Sequence, residues 1–286
     1  MLLPREYKPK DNELIYHYCD ANSFHQICTN HTLRLSDLLS MNDFFEFHWG
    51  YSIWEKAASK LIDELGKDFL DKIDEIINIS GLRGLLLATC FSLEGDVLSQ
   101  WRAYTNDGKG YAIGFNAKDI LKLPIRPLKV LYDESKQIEE LVNFIKVKYT
   151  VEQNEKVKFS DDFKRICYEL AFDLCSYKNP AFKEEQEVRI VHLLNFETSN
   201  DFLKLVDVGG TSFGRKVNGK KVQFRMIDSL PVAFIECDFT NKGKINPIKE
   251  VILGPKNDSL PTAISVFLET NNIGNVKIKK SKASYR

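Results

Sequence analysis

Two glutamates stand at the start of an apolar run in Lys183-Glu184-Glu185-Gln186-Glu187-Val188-Arg189-Ile190-Val191. Strand side chains alternate, so Glu185, Glu187 and Arg189 fall on one face and Gln186, Val188 and Ile190 on the other. The run continues into the core, where a carboxylate is costly unless it is paired or used. Two readings stay open: Arg189 and nearby lysines neutralise the acids at a sheet edge, or the acids are used in chemistry. Tyr16-His17-Tyr18-Cys19 places His17 and Cys19 on one face, as boundary residues or as ligand-facing groups. Thr89-Cys90-Phe91-Ser92 ends an apolar strand in a hydroxyl. Trp101 and Tyr104, one helical turn apart, can stack a planar ring or simply pack. Met41-Asn42-Asp43 with Glu46 reads most simply as a helix cap and first turn.

Positioning these residues requires both strands and helices. Residues 14–18 form a β-prone run, followed after Asp20 by a small amphipathic helix carrying Phe24 and Ile27. Residues 54–77 repeat apolar side chains at three and four, which predicts one helix with a single stripe. Residues 85–91 read as an apolar strand, 96–104 as a helix, and 111–115 as a strand after the Asn106-Asp107-Gly108 turn. Helices follow over 138–149 and after Ser160, whose hydroxyl can cap the second. Beyond residue 188 strands dominate, and Val217-Asn218-Gly219-Lys220 is a hairpin signal. This order predicts one α+β domain over residues 1–286, with helical insertions over about 51–80 and 135–178.

Composition narrows the classes. Forty basic residues balance forty acidic ones, which excludes a surface that is everywhere a nucleic-acid-binding field but not a local basic groove. Lys277, Lys279, Lys280, Lys282 and Arg286 form a small positive cluster at the end of the chain, most simply solvated. Six cysteines, none in a C-x-x-C pair, read as buried thiols in a reducing compartment. The first residues lack a signal-peptide pattern, and no apolar run is long enough to span a membrane, so the expectation is a cytoplasmic protein.

No P-loop, G-x-S-x-G elbow, H-E-x-x-H or G-x-G-x-x-G is present. In order, LIYHYCD, TLRLSDLLSMNDFFE, CFS, LSQWRAYTNDGKGYAIGF, EEQEVRIV, VILGP and SKASYR resemble a bacterial family named for a domain of unknown function, DUF2971. Members of that family often occur near phage-defence genes. A more distant likeness is to the ADP-ribosyltransferase superfamily. His17-Tyr18-Cys19, Phe91-Ser92 and Glu185-Gln186-Glu187-Val188 look like its early histidine strand, its aromatic-Ser element and its late glutamate strand, with Cys19 where Thr or Ser is usual.

That second resemblance implies an ADP-ribosyltransferase-like core of small, mostly antiparallel sheets, with NAD as substrate. It implies that Glu187 stabilises positive charge on the ribose and Glu185 orients or deprotonates the acceptor. His17 would then bond the adenosine-side ribose, Arg34 the pyrophosphate and Cys19 the nicotinamide ribose, with Ser92 also binding the cofactor, while Tyr104 or Trp101 stacks on nicotinamide. The acceptor can be a DNA base, RNA, a protein or water. Two other classes are weighed against this one. A defence nuclease would use Asp43, Glu46, Glu185 and Glu187 as Mg²⁺ ligands, and a non-enzymatic sensor would bind through its basic tail or aromatic surface.

Overall fold

The structure, a computed structural model, describes residues 3–40 and 44–283, and the side chains of these except residues 39 and 44–47. Met41-Asn42-Asp43, the Glu46 side chain and Arg286 therefore lie outside the described residues. The chain opens with β1 (Leu14–Cys19), α1 (Ala21–Asn30) and β2 (Thr32–Asp37), then α2 (Phe44–Leu65) and α3 (Lys67–Ile79). Next come β3 (Gly84–Ser92), α4 (Leu98–Tyr104), β4 (Tyr111–Asn116), the short α5 (Ala117–Ile120) and β5 (Arg126–Lys129). Two long helices, α6 (Glu134–Asn154) and α7 (Asp161–Asp173), precede β6 (Glu187–Thr198) and β7 (Leu203–Val206). The rest is mostly strand: β8 (Gly210–Ser212), β9 (Arg215–Val217), β10 (Gln223–Ile227), β11 (Leu230–Asp238), β12 (Ile248–Leu253), α8 (Pro261–Thr270) and β13 (Lys277–Lys280).

Helix and strand are both abundant, at 40% and 29%, and among the described residues the strands pair antiparallel except β12 with β13. The α+β expectation holds at that level. Eleven strands of the described chain join in one sheet, ordered β10-β11-β2-β3-β1-β4-β12-β13, with β6 also on β3 and carrying β5 and β7.

The branch at β3 makes the site. Along one edge β3 pairs with β6 over its whole length, from Gly84↔Asn195 to Ser92↔Glu187. A strand has two edges, so β2 (Ser36↔Ala88) and β1 (Tyr16↔Ser92) must share the other, and they diverge from it. Where a backbone ladder would run, side chains bridge the gap. Thr89 Oγ1 donates to the Arg34 carbonyl at 2.5 Å, and His17 Nδ1 donates to the Cys90 carbonyl at 3.0 Å.

Two apolar cores hold this arrangement. One packs the sheet against α1 and α8 through Ile15, Phe24, Phe91, Phe115, Val188 and Phe239. The other lies among α2, α3, α6 and α7, around Trp54, Phe69, Ile73, Ile145, Phe163 and Tyr177. The helix expected over 54–77 is two helices, because Gly66 at φ 82° breaks it after Leu65. Periodicity alone missed the break, since Leu65 and Phe69 keep the apolar stripe on both sides of it.

The hairpin expected at Asn218-Gly219 is also corrected. The β8–β9 turn is Phe213-Gly214, both at positive φ, and β10–β11 turns at Asp228-Ser229. Gly219 serves another need: a Cβ there would meet the Asp207 carbonyl oxygen at 1.6 Å. The next residue, Lys220, donates its backbone N–H to Asp207 Oδ2 at 2.6 Å.

Candidate active site

The divergence of β1 and β2 opens a cavity of about 350 Å³, within the range of small-molecule sites. Its floor can be read from cross-strand register. Arg225 opposes Val232, Glu236 opposes Arg34, and Cys90 opposes Arg189. These side chains share one face of β10-β11-β2-β3-β6 and all line the cavity. The far wall is β1, with His17 and Cys19, and the ends are α1 and the residues Gln100 and Tyr104 of α4. Asp20 caps α1 by accepting from Ser23 N at 2.7 Å, worth about 1 kcal/mol.

Glu187 and Arg189 do share a strand face, as alternation requires. Glu185 reaches the same place by another route. It ends a 3₁₀ turn over Pro180–Glu185, Gln186 turns the chain at φ 44°, and the strand starts only at Glu187. Lys178 joins the two acids, with Nζ 2.5 Å from Glu185 Oε2 and 3.1 Å from Glu187 Oε2. Arg189 grips Glu187 with two nitrogens, Nε to Oε1 at 2.7 Å and Nη2 to Oε2 at 3.1 Å, while its Nη1 donates to the Cys175 carbonyl. Tyr104 donates its hydroxyl to Glu185 Oε1 at 3.2 Å.

The neutralising reading of the sequence is thus met for Glu187, but not at a sheet edge: β6 lies between β3 and β5, and the opening is beside the acids. Lys178, which sequence reasoning did not name, could have been sought, because two buried acids need more cation than Arg189 supplies.

The two carboxyls are driven apart. Burial would raise Glu187, but the Arg189 guanidinium and Lys178 ammonium outweigh it and hold the carboxyl down at about 2. At Glu185 burial prevails over Lys178, and the carboxyl sits above its ordinary value, with the Glu187 charge adding to the rise. Burial lowers His17 and favours the neutral ring, in which Nδ1–H serves Cys90 and Nε2 is the acceptor. Burial likewise pushes the Cys19 thiol well up, so it meets a ligand as a weak neutral donor.

Of the residues singled out in the sequence, His17, Cys19, Arg34, Tyr104, Glu185 and Glu187 converge on the cavity. Ser92 and Trp101 do not line it. Ser92 is 1% exposed, and its Oγ accepts from Glu94 N. Trp101 is fully buried beneath Tyr18, rings edge to face at 4.9 Å, and donates Nε1–H to Asp96 at 2.7 Å. Of the aromatic pair, Tyr104 alone remains as a stacking surface, and Trp101 fixes the helix that carries it. Among the described residues, no group of three or more His, Cys, Asp or Glu side chains is placed to hold a metal ion, and Asp43 lies outside them.

The fold and site define a mixed helix-and-sheet protein with a polar cleft at a sheet branch. Residues 100–190 match the model of a family described as a protein of unknown function (DUF2971), which bears out the family resemblance read from the sequence. That segment contains Tyr104, Lys178, Glu185, Glu187 and Arg189. No curated protein and no solved structure matches the chain. Among the described residues no helix is long and apolar enough to cross a membrane.

Proposed function

We propose that the cleft takes NAD and that the chain breaks the bond between nicotinamide and ribose, passing ADP-ribose to an acceptor or to water. The observation that carries this reading is the meeting of His17, Arg34, Glu185 and Glu187, from four separate elements, around one cavity. The residues suit the ligand. An acceptor nitrogen on His17, a guanidinium on Arg34 whose buried Nε has no hydrogen-bond partner among the described residues, and a partly exposed Tyr104 ring offer contacts for sugar, phosphate and base.

The bond leaves positive charge on the ribose as it breaks, and carboxylates fixed beside it lower that barrier. Glu187, locked by Arg189 and Lys178, is the fixed charge. Glu185, with its raised pKa, is better suited to accept a proton from the attacking hydroxyl. A ligand hydroxyl that takes the place of the Lys178 ammonium on Glu185 frees that carboxylate for the transfer. The fold core implied by this reading is ADP-ribosyltransferase-like, and depletion of NAD inside a cell suits an anti-phage effector or toxin.

Nicotinamide release from labelled NAD tests the activity. We expect release by the wild-type chain, lowered about a hundredfold or more in Glu187→Gln, the scale of one lost electrostatic stabiliser near 3 kcal/mol, and by a comparable factor in Glu185→Gln. The second variant is the cleaner one, because Lys178 keeps Glu187 as its partner. Absence of release from the wild type, across candidate DNA, RNA and protein acceptors, would rule the activity out.

A further inference from the structure

Charged groups gather at both ends of the cleft floor. Toward β6 two acids and two cations, Glu185, Glu187, Lys178 and Arg189, cancel one another. Toward β10 two guanidiniums, Arg34 and Arg225, share the cavity with the carboxylates of Glu236 and Asp20. Arg34 lies over the Phe234 ring at 4.2 Å, and its Nη2 donates to Glu236 at 2.9 Å. Arg225, on the same sheet face and two strands away, makes no salt bridge among the described residues. Partial burial, and then the charge of Arg34, lower the pKa of Arg225, while the Asp20 carboxylate, which lines the same cavity, opposes them. Two guanidiniums facing one cavity, one of them with a buried Nε that has no partner among the described residues, make a place where an anion relieves repulsion and completes hydrogen bonding.

We propose that Arg225 and Arg34 form a clamp for a diphosphate group, so that a diphosphate-bearing nucleotide lies in the cleft in one direction only. Its phosphates lie toward the β10–β11 hairpin, and its reacting sugar lies toward Glu185 and Glu187. This rests on the NAD reading of the same cleft and adds to it a residue and a polarity. Register supports the placement, since Arg225 opposes Val232, and Val232 and Glu236 face the cavity from one strand. Arg225 and Ile227 turn into the cleft, leaving Phe224 and Met226 on the other face of β10 with 59% and 64% of their surface exposed. Chemistry agrees: a planar guanidinium fork matches phosphate oxygens bidentately, and two such forks suit a diphosphate better than a single phosphate.

The test measures binding of ADP, adenosine and inorganic pyrophosphate to the full chain by calorimetry, in wild type, Arg225→Gln and Arg225→Lys. Arg225 is exposed and has no ion pair among the described residues, so the substitutions are expected to leave the thermal midpoint unchanged. The expected result is ADP affinity reduced about tenfold or more in Arg225→Gln, as for a lost hydrogen bond to a charged group. Adenosine binding should be unaltered, and the lysine variant should partly recover. Pyrophosphate should compete with ADP on the wild type and only weakly on Arg225→Gln. Equal ADP affinity in wild type and Arg225→Gln, or no ADP binding to the wild type, overturns the clamp. Nicotinamide release that persists in Arg225→Gln with unchanged KM would sink the clamp and leave the activity standing. The full ADP pattern without any nicotinamide release would support the clamp and remove the activity.

Discussion

Glu187 shows how one side chain can be structural and chemical at once. Only 6% of it is exposed, two Arg189 nitrogens and one from Lys178 surround it, and it still borders the cavity. Removing one partner of such a buried pair leaves the other charge uncompensated. Glu187→Gln should therefore lose about 3–5 kcal/mol of unfolding free energy at pH 7, measured by urea denaturation. The pH dependence has a definite sign. With its folded-state pKa held at about 2, the carboxyl stays charged in the folded chain after the unfolded chain has begun to take up its proton. Its contribution is whole above the ordinary value of 4.5 and drains away as pH falls from there toward about 2. Glu185, raised in the folded state, works the other way and costs stability as pH rises past its ordinary value. Wild type should thus lose stability more steeply than Glu187→Gln between pH 4.5 and 2. Parallel curves would show that the Arg189 and Lys178 contacts do not form in solution.

At the scale of elements, the position of β1 decides whether His17 reaches the cleft. Gly110, just before β4, lies against the end of β1 so closely that a Cβ would meet the Cys19 carbonyl oxygen at 2.1 Å. That atom is backbone and cannot swing aside, so β1 must move. Gly110→Ala should cost about 1–3 kcal/mol and raise KM for NAD several-fold while Glu185 and Glu187 stay in place. A thermal midpoint and KM equal to wild type would show that β1 has slack. Much of this level was readable from the sequence. Strand β6, the helix of Tyr104 and the strand of His17 follow from local alternation and periodicity. The break at Gly66 was hidden by an apolar stripe that runs through it, and the Asn218-Gly219 signal was misleading because its glycine answers to a distant carbonyl. Glu185 was placed beside Glu187 for the wrong reason, since a left-handed Gln186, not strand alternation, brings it there.

On the scale of the molecule, the chain has no net charge, and its cleft holds an acid pair gripped by Lys178 and Arg189 at one end and the guanidiniums of Arg34 and Arg225 at the other. That division was not legible from residue order. Arg225 joins Arg34 only through the β10-β11-β2 pairings, and Lys178 meets Glu187 only because the 3₁₀ turn after it folds back. Trp101 carries the opposite lesson, because an aromatic in a promising motif turned out to be the buried anchor that seats α4 against Tyr18. What the sequence did hold was the set of chemical groups. Their common cavity is a property of a sheet that branches at β3. The most direct test of the account is a crystal structure of the Glu185→Gln variant grown with NAD. The account predicts density for the dinucleotide across the branch, with its nicotinamide ribose at Glu187 and its phosphates at Arg34 and Arg225. Dinucleotide bound anywhere else, or an empty cleft at saturating NAD, would contradict it.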